Sequence, residues 1–157
     1  MSNVVMPIAG GCSCGAVRYE VSLPPLMVYN CHCTNCQKVS GGAFSTAVTI
    51  LESGFAITSG EPRTVEWTSD MGNIRYGLFC GDCGSRIANG QRPGGGFLSL
   101  RAGTLDDRSW VEPVGDIWLR SAQPWVAIPE GRLRAEQQPQ DYAPYIARFK
   151  AQGRFPD

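Results

Sequence analysis

The sequence predicts a mainly β protein organised around metal-binding cysteines. Short segments rich in β-branched and aromatic residues recur between turn signals, helical periodicity is scarce, and all seven cysteines fall into three tight groups. Taken in order, the strand-forming segments are residues 16–23, 43–50, 63–68, 74–79, 97–103 and 117–119. Between the third and fourth, Ser69-Asp70-Met71-Gly72-Asn73 supplies the Asp, Gly and Asn that suit a hairpin loop. Gln91-Arg92-Pro93-Gly94-Gly95-Gly96 reads as a second loop. Helix is expected only as a short turn after Cys33 and over residues 141–150, where Tyr142, Tyr145, Ile146 and Phe149 recur at helical spacing and should pack on the sheet. No segment repeats and no low-complexity linker divides the chain, so a single domain over residues 1–157 is expected.

Composition narrows the function classes. Lys and Arg number 14 against 14 Asp and Glu, and charged residues make up 18%, below the usual ~25%. This balance argues against a nucleic-acid footprint and against a polybasic membrane patch. No apolar run approaches the ~20 residues of a membrane span, and residues 1–10 lack the basic start and long apolar middle of a secretory signal. A cytoplasmic protein is the expectation. At 157 residues the chain can bury a core unaided, so a metal would point to a purpose beyond bulk stability.

The cysteines are Cys12 and Cys14, then Cys31, Cys33 and Cys36, then Cys80 and Cys83. An odd count cannot pair completely, and disulfides are rare in a reducing cytosol. Thiolates are soft ligands suited to zinc, which takes four protein ligands in a structural site and three in a site that meets substrate. Seven divides as four plus three. Cys80 and Cys83, with Gly81 and Gly84, resemble a zinc knuckle, and Cys12 and Cys14, pointing the same way from an extended segment, can complete a four-thiolate site. Cys31 and Cys33 can share one side of an extended segment, with Cys36 entering a short helix whose N–H groups favour thiolates. Two competing readings make Cys36 an inert buried cysteine or assemble an iron–sulfur cluster, although the spacings do not match the usual cluster runs.

The runs Gly11-Cys12-Ser13-Cys14-Gly15, Cys31-His32-Cys33-Thr34-Asn35-Cys36 and Phe79-Cys80-Gly81-Asp82-Cys83-Gly84, followed by Ala122-Gln123-Pro124-Trp125, resemble the pattern of the glutathione-dependent formaldehyde-activating enzyme family. The resemblance runs from about residue 10 to residue 125. It implies a fold like that of the Mss4 chaperone, with coiled antiparallel β-sheets around a structural zinc. It further implies Cys12, Cys14, Cys80 and Cys83 on that structural ion and Cys31, Cys33 and Cys36 on a catalytic one, which three thiolates around an open position can hold loosely enough to be labile. The implied activity is that of a carbon–sulfur lyase, joining or parting a small thiol such as glutathione and an aldehyde such as formaldehyde. One departure is Asp116, where many relatives are expected to carry His.

His32, the only histidine, sits between two proposed ligands, and strand alternation turns it away from them toward a packing or supporting role, with proton transfer as the alternative. Arg75, Arg86, Arg92 and Arg101 are candidates to meet the carboxylates of a glutathione-like ligand, against the plainer reading of solvated surface arginines. Trp67, Trp110, Trp118 and Trp125 read as core. The rival to an enzyme is a non-catalytic, chaperone-like or partner-binding zinc module, which has use for a four-thiolate site but none for three further thiolates.

Overall fold

The structure, a computed structural model, describes residues 4–155; the ends of the expected 1–157 domain lie outside the described residues. Strands β1 (Ile8–Gly11), β2 (Arg18–Val21) and β5 (Phe55–Ser59) form a three-stranded antiparallel sheet in the order β1-β2-β5. The other sheet has eight strands in the order β11-β10-β3-β4-β9-β8-β7-β6, with β3 spanning Met27–Cys31, β4 Ser45–Leu51, β6 Arg63–Thr68, β7 Ile74–Phe79, β8 Arg86–Arg92, β9 Phe97–Arg101, β10 Gly115–Ile117 and β11 Leu133–Arg134. Helices α1 (Thr34–Ser40) and α2 (Ala143–Lys150) complete the main elements.

Burial explains why these segments become strands. On β9, Leu98 and Leu100 point into the core while Ser99 and Arg101 occupy the opposite face, as period-two alternation requires. Val28, Val48, Ile50, Ile87 and Ile117 join Leu98 and Leu100 in that core. Every residue of β3 is buried because the strand lies between β10 and β4 in the sheet and α2 packs against it, which hides the alternation that would have marked it in the sequence. Strand β8, Arg-Ile-Ala-Asn-Gly-Gln-Arg, was also illegible, since most of its residues have low strand preference and its pairing with β7 and β9 decides its conformation.

Three expectations are refined. The loop at 91–96 begins only after Arg92, where β8 ends. The strand expected at 117–119 lies at Gly115–Ile117, because Trp118 adopts a left-handed backbone with φ 60° that ends it. The sheets are antiparallel except at one edge, where β10 runs parallel to β3 and β11; the long excursion between β9 and β10 permits a parallel return. The Ser69–Asn73 loop forms as anticipated, its Ser69 N–H donating to the Asn73 carbonyl at 2.9 Å. Tyr145 and Phe149 of α2 are buried, and Tyr142 stacks obliquely on Tyr29 of β3 with ring centroids 6.4 Å apart.

Candidate functional site

The first cysteine cluster sits where the two sheets meet. Cys12 and Cys14 lie in the turn joining β1 to β2, and Cys80 and Cys83 in the turn joining β7 to β8. Cys12 and Cys14 are therefore not on an extended strand as expected. The hairpin closes at the Gly11–Arg18 pair, and the Cys12 N–H donates to Val17 O at 3.0 Å and the Gly15 N–H to Cys12 O at 3.2 Å. The four sulfurs nonetheless converge, with Cys12 and Cys14 3.6 Å apart, Cys14 and Cys80 3.7 Å apart, and all four within 4.8 Å of one another. On the other turn, the Gly84 N–H donates to Cys80 O at 2.9 Å, and Gly84 has φ +77°, a conformation glycine adopts without strain.

The electrostatics of this cluster divide its sulfurs. The Ser85 hydroxyl, followed by the Ser85 backbone N–H, pulls Cys83 down to about 5. The Ala16 N–H favours the Cys14 thiolate, but the thiols of Cys12 and Cys83 outweigh it and push Cys14 up to about 12. Four soft donors so close repel one another once ionised unless a cation sits among them, so the donor set fits a tetrahedral thiolate-bound ion.

The second cluster is local. Cys31 ends β3, Cys33 caps α1 with extended backbone (φ −64°, ψ 154°), and Cys36 lies in the first turn of that helix. The Cys36 N–H donates to the Cys33 sulfur at 3.3 Å. The three sulfurs lie within 4.8 Å of one another, so the anticipated extended-segment-to-helix geometry does bring them together. Hydrogen bonds from Cys31 and Cys33, helped against burial by the Arg101 charge, pull Cys36 down to about 2. The bond with Cys33, then that with Cys36 and burial, push Cys31 up. For Cys33 the bond to Cys31 favours the thiolate, but Cys36 and burial prevail and its pKa rises. Three such donors would suit a thiolate-bound ion with one position left for another ligand.

All three cysteines line a cavity of about 430 Å³. Its floor is one face of the eight-stranded sheet, where strand register aligns Trp67 with Arg75 and Gln91, Asn89 with Ser99, and Tyr29 with Ala47 and Arg101. The β6–β7 hairpin tip and Trp118 line other sides. Trp118, left-handed at φ 60°, donates its Nε1–H to Gln138 Oε1 at 2.9 Å, and the Arg120 guanidinium lies 4.9 Å from its ring centre. Gln37 locks α1 in place: its Nε2 donates to His32 O at 2.7 Å and Ser121 O at 2.8 Å, and its Oε1 accepts from Gln123 Nε2 at 2.9 Å.

His32 turns away from the sulfurs. Its Nε2 lies 2.7 Å from Asp116 Oδ1, both side chains are buried, and His32 does not line the cavity. Asp116 also accepts from Asn30 Nδ2 at 3.2 Å and faces Arg132 Nη1 at 3.4 Å. The departure at Asp116 thus supplies a partner for the one histidine. Among the arginines, Arg101 is no solvated surface residue, being only 7% exposed, and Arg75 lines the same cavity. Arg92 ion-pairs with Glu66 and stacks on Tyr76, and Arg86 donates to Asn89 Oδ1 at 2.9 Å. Trp110 and Trp118 are buried as expected, Trp118 also lining the cavity, Trp67 is a half-buried cavity wall, and Trp125 is 74% exposed, hence not core. The polar cavity face went unread in the sequence, although Ser99 and Arg101 alternating with Leu98 and Leu100 was the available signal.

A mainly β architecture of two sheets, with a four-thiol junction and a three-thiol group lining a cavity, each able to hold a metal ion, defines an Mss4-like protein. The chain belongs to the glutathione-dependent formaldehyde-activating enzyme family, whose model matches residues 7–121. A crystal structure of a Rhodobacter sphaeroides protein shares the fold, with a TM-score of 0.52 and 22% sequence identity over 67% of this chain and 96% of that one. No helix among the described residues is long and apolar enough to cross a membrane.

Proposed function

We propose that the protein is a zinc-dependent carbon–sulfur lyase that makes or breaks a thiol–aldehyde adduct, such as S-hydroxymethylglutathione from glutathione and formaldehyde. The observation that supports this most is the placement of Cys31, Cys33 and Cys36 at a polar cavity, which a purely structural ion does not need. Family membership supports the thiol and aldehyde classes. In this reading the chain is one cytoplasmic domain.

Cys12, Cys14, Cys80 and Cys83 would hold a structural zinc, and Cys31, Cys33 and Cys36 a catalytic one. The catalytic ion, when bound, supplies Lewis acidity and lowers the pKa of a thiol beside it. The chain's own residues orient and retain. Cys31 is fixed by pairing with Ser45 on one side and Ile117 on the other, so the reactive corner rests on the middle of a sheet rather than on a loop. The Gln37 bonds keep α1, and with it Cys36, against the 119–123 segment. In the reaction a thiolate sulfur bonds to the carbonyl carbon and the oxygen takes up a proton; the reverse parts the same atoms.

The test is zinc per chain by native mass spectrometry, repeated after titration with glutathione and with a mild chelator. Two ions, one of them labile toward thiol, are expected. A single tight ion indifferent to thiols, with no acceleration of adduct exchange, would replace this reading with a non-catalytic binding module.

A further inference from the structure

Arg101 is the feature that a thiol–formaldehyde adduct leaves unexplained. Its side chain lies at the end of β9 beside Ala47, lines the cavity, and is 7% exposed. Only one of its nitrogens has a protein partner: Nη1 lies 3.7 Å from the Cys36 sulfur, while Nε and Nη2 have none. A buried N–H left unpaired is costly, so a guanidinium with two of them fits a site completed by an acceptor. The surroundings do not supply a carboxylate. Among the described residues Asp70 is the one acidic residue lining the cavity; it is exposed, and it lies 3.8 Å from Arg120. Arg75 lines the same sheet face farther from the sulfurs, with Gln91 Oε1 3.4 Å from its Nη1. The cavity therefore offers two positive charges at two depths.

Depth separates what each can recognise. The carboxylates of a glutathione-like thiol lie several bonds from its sulfur, a span that suits Arg75, two strands beyond Arg101 in the sheet. Arg101, 3.7 Å from the Cys36 sulfur, is matched in reach by an anionic group attached to the reacting carbon or next to it. We propose that the carbonyl partner is a 2-oxo acid, whose carboxylate pairs with Arg101 while its carbonyl carbon lies at the Cys31, Cys33 and Cys36 corner. This rests on the lyase reading and names its substrate class. In the breaking direction the carbon–sulfur bond parts with its electron pair on the thiol sulfur, the hydroxyl proton ends on that sulfur, and the carbon becomes the carbonyl of the free 2-oxo acid. Nothing is oxidised or reduced. Arg75 takes the remote carboxylate of the thiol.

The experiment compares glutathione adducts of glyoxylate and of acetaldehyde, similar in size and different in charge, by exchange NMR on the zinc-loaded protein and on Arg101→Gln and Arg101→Lys. Wild type should favour glyoxylate, and that preference should fall ~10–100-fold in Arg101→Gln, the worth of a charge-assisted pair, with partial retention in Arg101→Lys. Zinc per chain, read by native mass spectrometry, should match wild type. Equal rates for both adducts in wild type overturn the proposal. So does an Arg101→Gln protein that loses zinc and slows both adducts alike, which would make Arg101 a counter-charge to the thiolates. If no adduct is accelerated at all, the lyase reading fails separately, and a glyoxylate titration followed by tryptophan fluorescence decides the anion site. Saturation that Arg101→Gln abolishes supports the site, and no saturation rejects it.

Discussion

The two cysteine clusters use the same ligand chemistry and opposite topology. One gathers Cys12 and Cys14 from the small sheet and Cys80 and Cys83 from the large one, while the other takes Cys31, Cys33 and Cys36 from six consecutive positions. An ion at the first closes a long loop and ties two sheets that share no strand ladder, so its binding energy becomes folding energy. An ion at the second joins groups that strand pairing and the Gln37 bonds already hold, so little of the fold depends on it. What differs is which parts of the chain lose freedom when the metal arrives.

Breaking the junction should have the largest effect. Cys80, 1% exposed, is its deepest member, and Cys80→Ser is expected to prevent folding or lower Tm by tens of degrees, since structural zinc contributes about 10–16 kcal/mol in small zinc domains. Thermal unfolding with zinc counting checks this, and a normal Tm would erase the contrast between clusters. Cys33→Ser should abolish adduct exchange and lose one zinc while Tm shifts by no more than about 5 °C. A collapse of Tm there would make both clusters structural.

Gln37→Ala sharpens the comparison within the local cluster. Losing its bonds to His32 O, Ser121 O and Gln123 should cost about 1–3 kcal/mol and weaken zinc retention at the triplet, with the junction ion unaffected, as competition with a chelator would read. The smallest effect is expected near the junction, at the Arg18–Asp106 ion pair. The Arg18 hydrogen bond holds the Asp106 carboxyl below its ordinary value, so its stabilisation is present above that value and disappears as pH falls through the lower, folded one. Both side chains are more than a third exposed, which limits the contribution to about 0.2–1 kcal/mol. Urea melts from pH 7 to pH 3 should show Asp106→Asn losing that acid-side slope; parallel curves for the two proteins would remove the pair from the account.

The triplet was legible because its ligand spacing is a local property, whereas the joining of Cys12 and Cys14 to Cys80 and Cys83 followed only from the number of ligands a structural zinc takes. Cys31, Cys33 and Cys36 converge through the backbone of one segment, and the strands at 63–68 and 74–79 with their Ser69–Asn73 turn follow from residue preference alone. Cys12 and Cys14 also reach the site, but through a hairpin turn and not through strand alternation, since pairing of β1 with β2 closes the chain there. Strand β3 and strand β8 were hidden for opposite reasons, one buried throughout and the other too polar to look like a strand.

By itself the sequence determined the strand-rich character, the three tight groups of cysteines and the turning of His32 away from its neighbouring thiols, because each depends on neighbours along the chain; the meeting of Cys12 and Cys14 with Cys80 and Cys83 is the work of the tertiary fold. Only the tertiary structure decided that Asp116 receives His32, that Trp118 is left-handed at a cavity wall and that Trp125 is exposed. It also decided that Arg101 is buried against Cys36. These partners lie tens of residues apart, and it is strand register across β3, β4, β9 and β10, together with the Trp118–Gln138 bond, that sets them side by side.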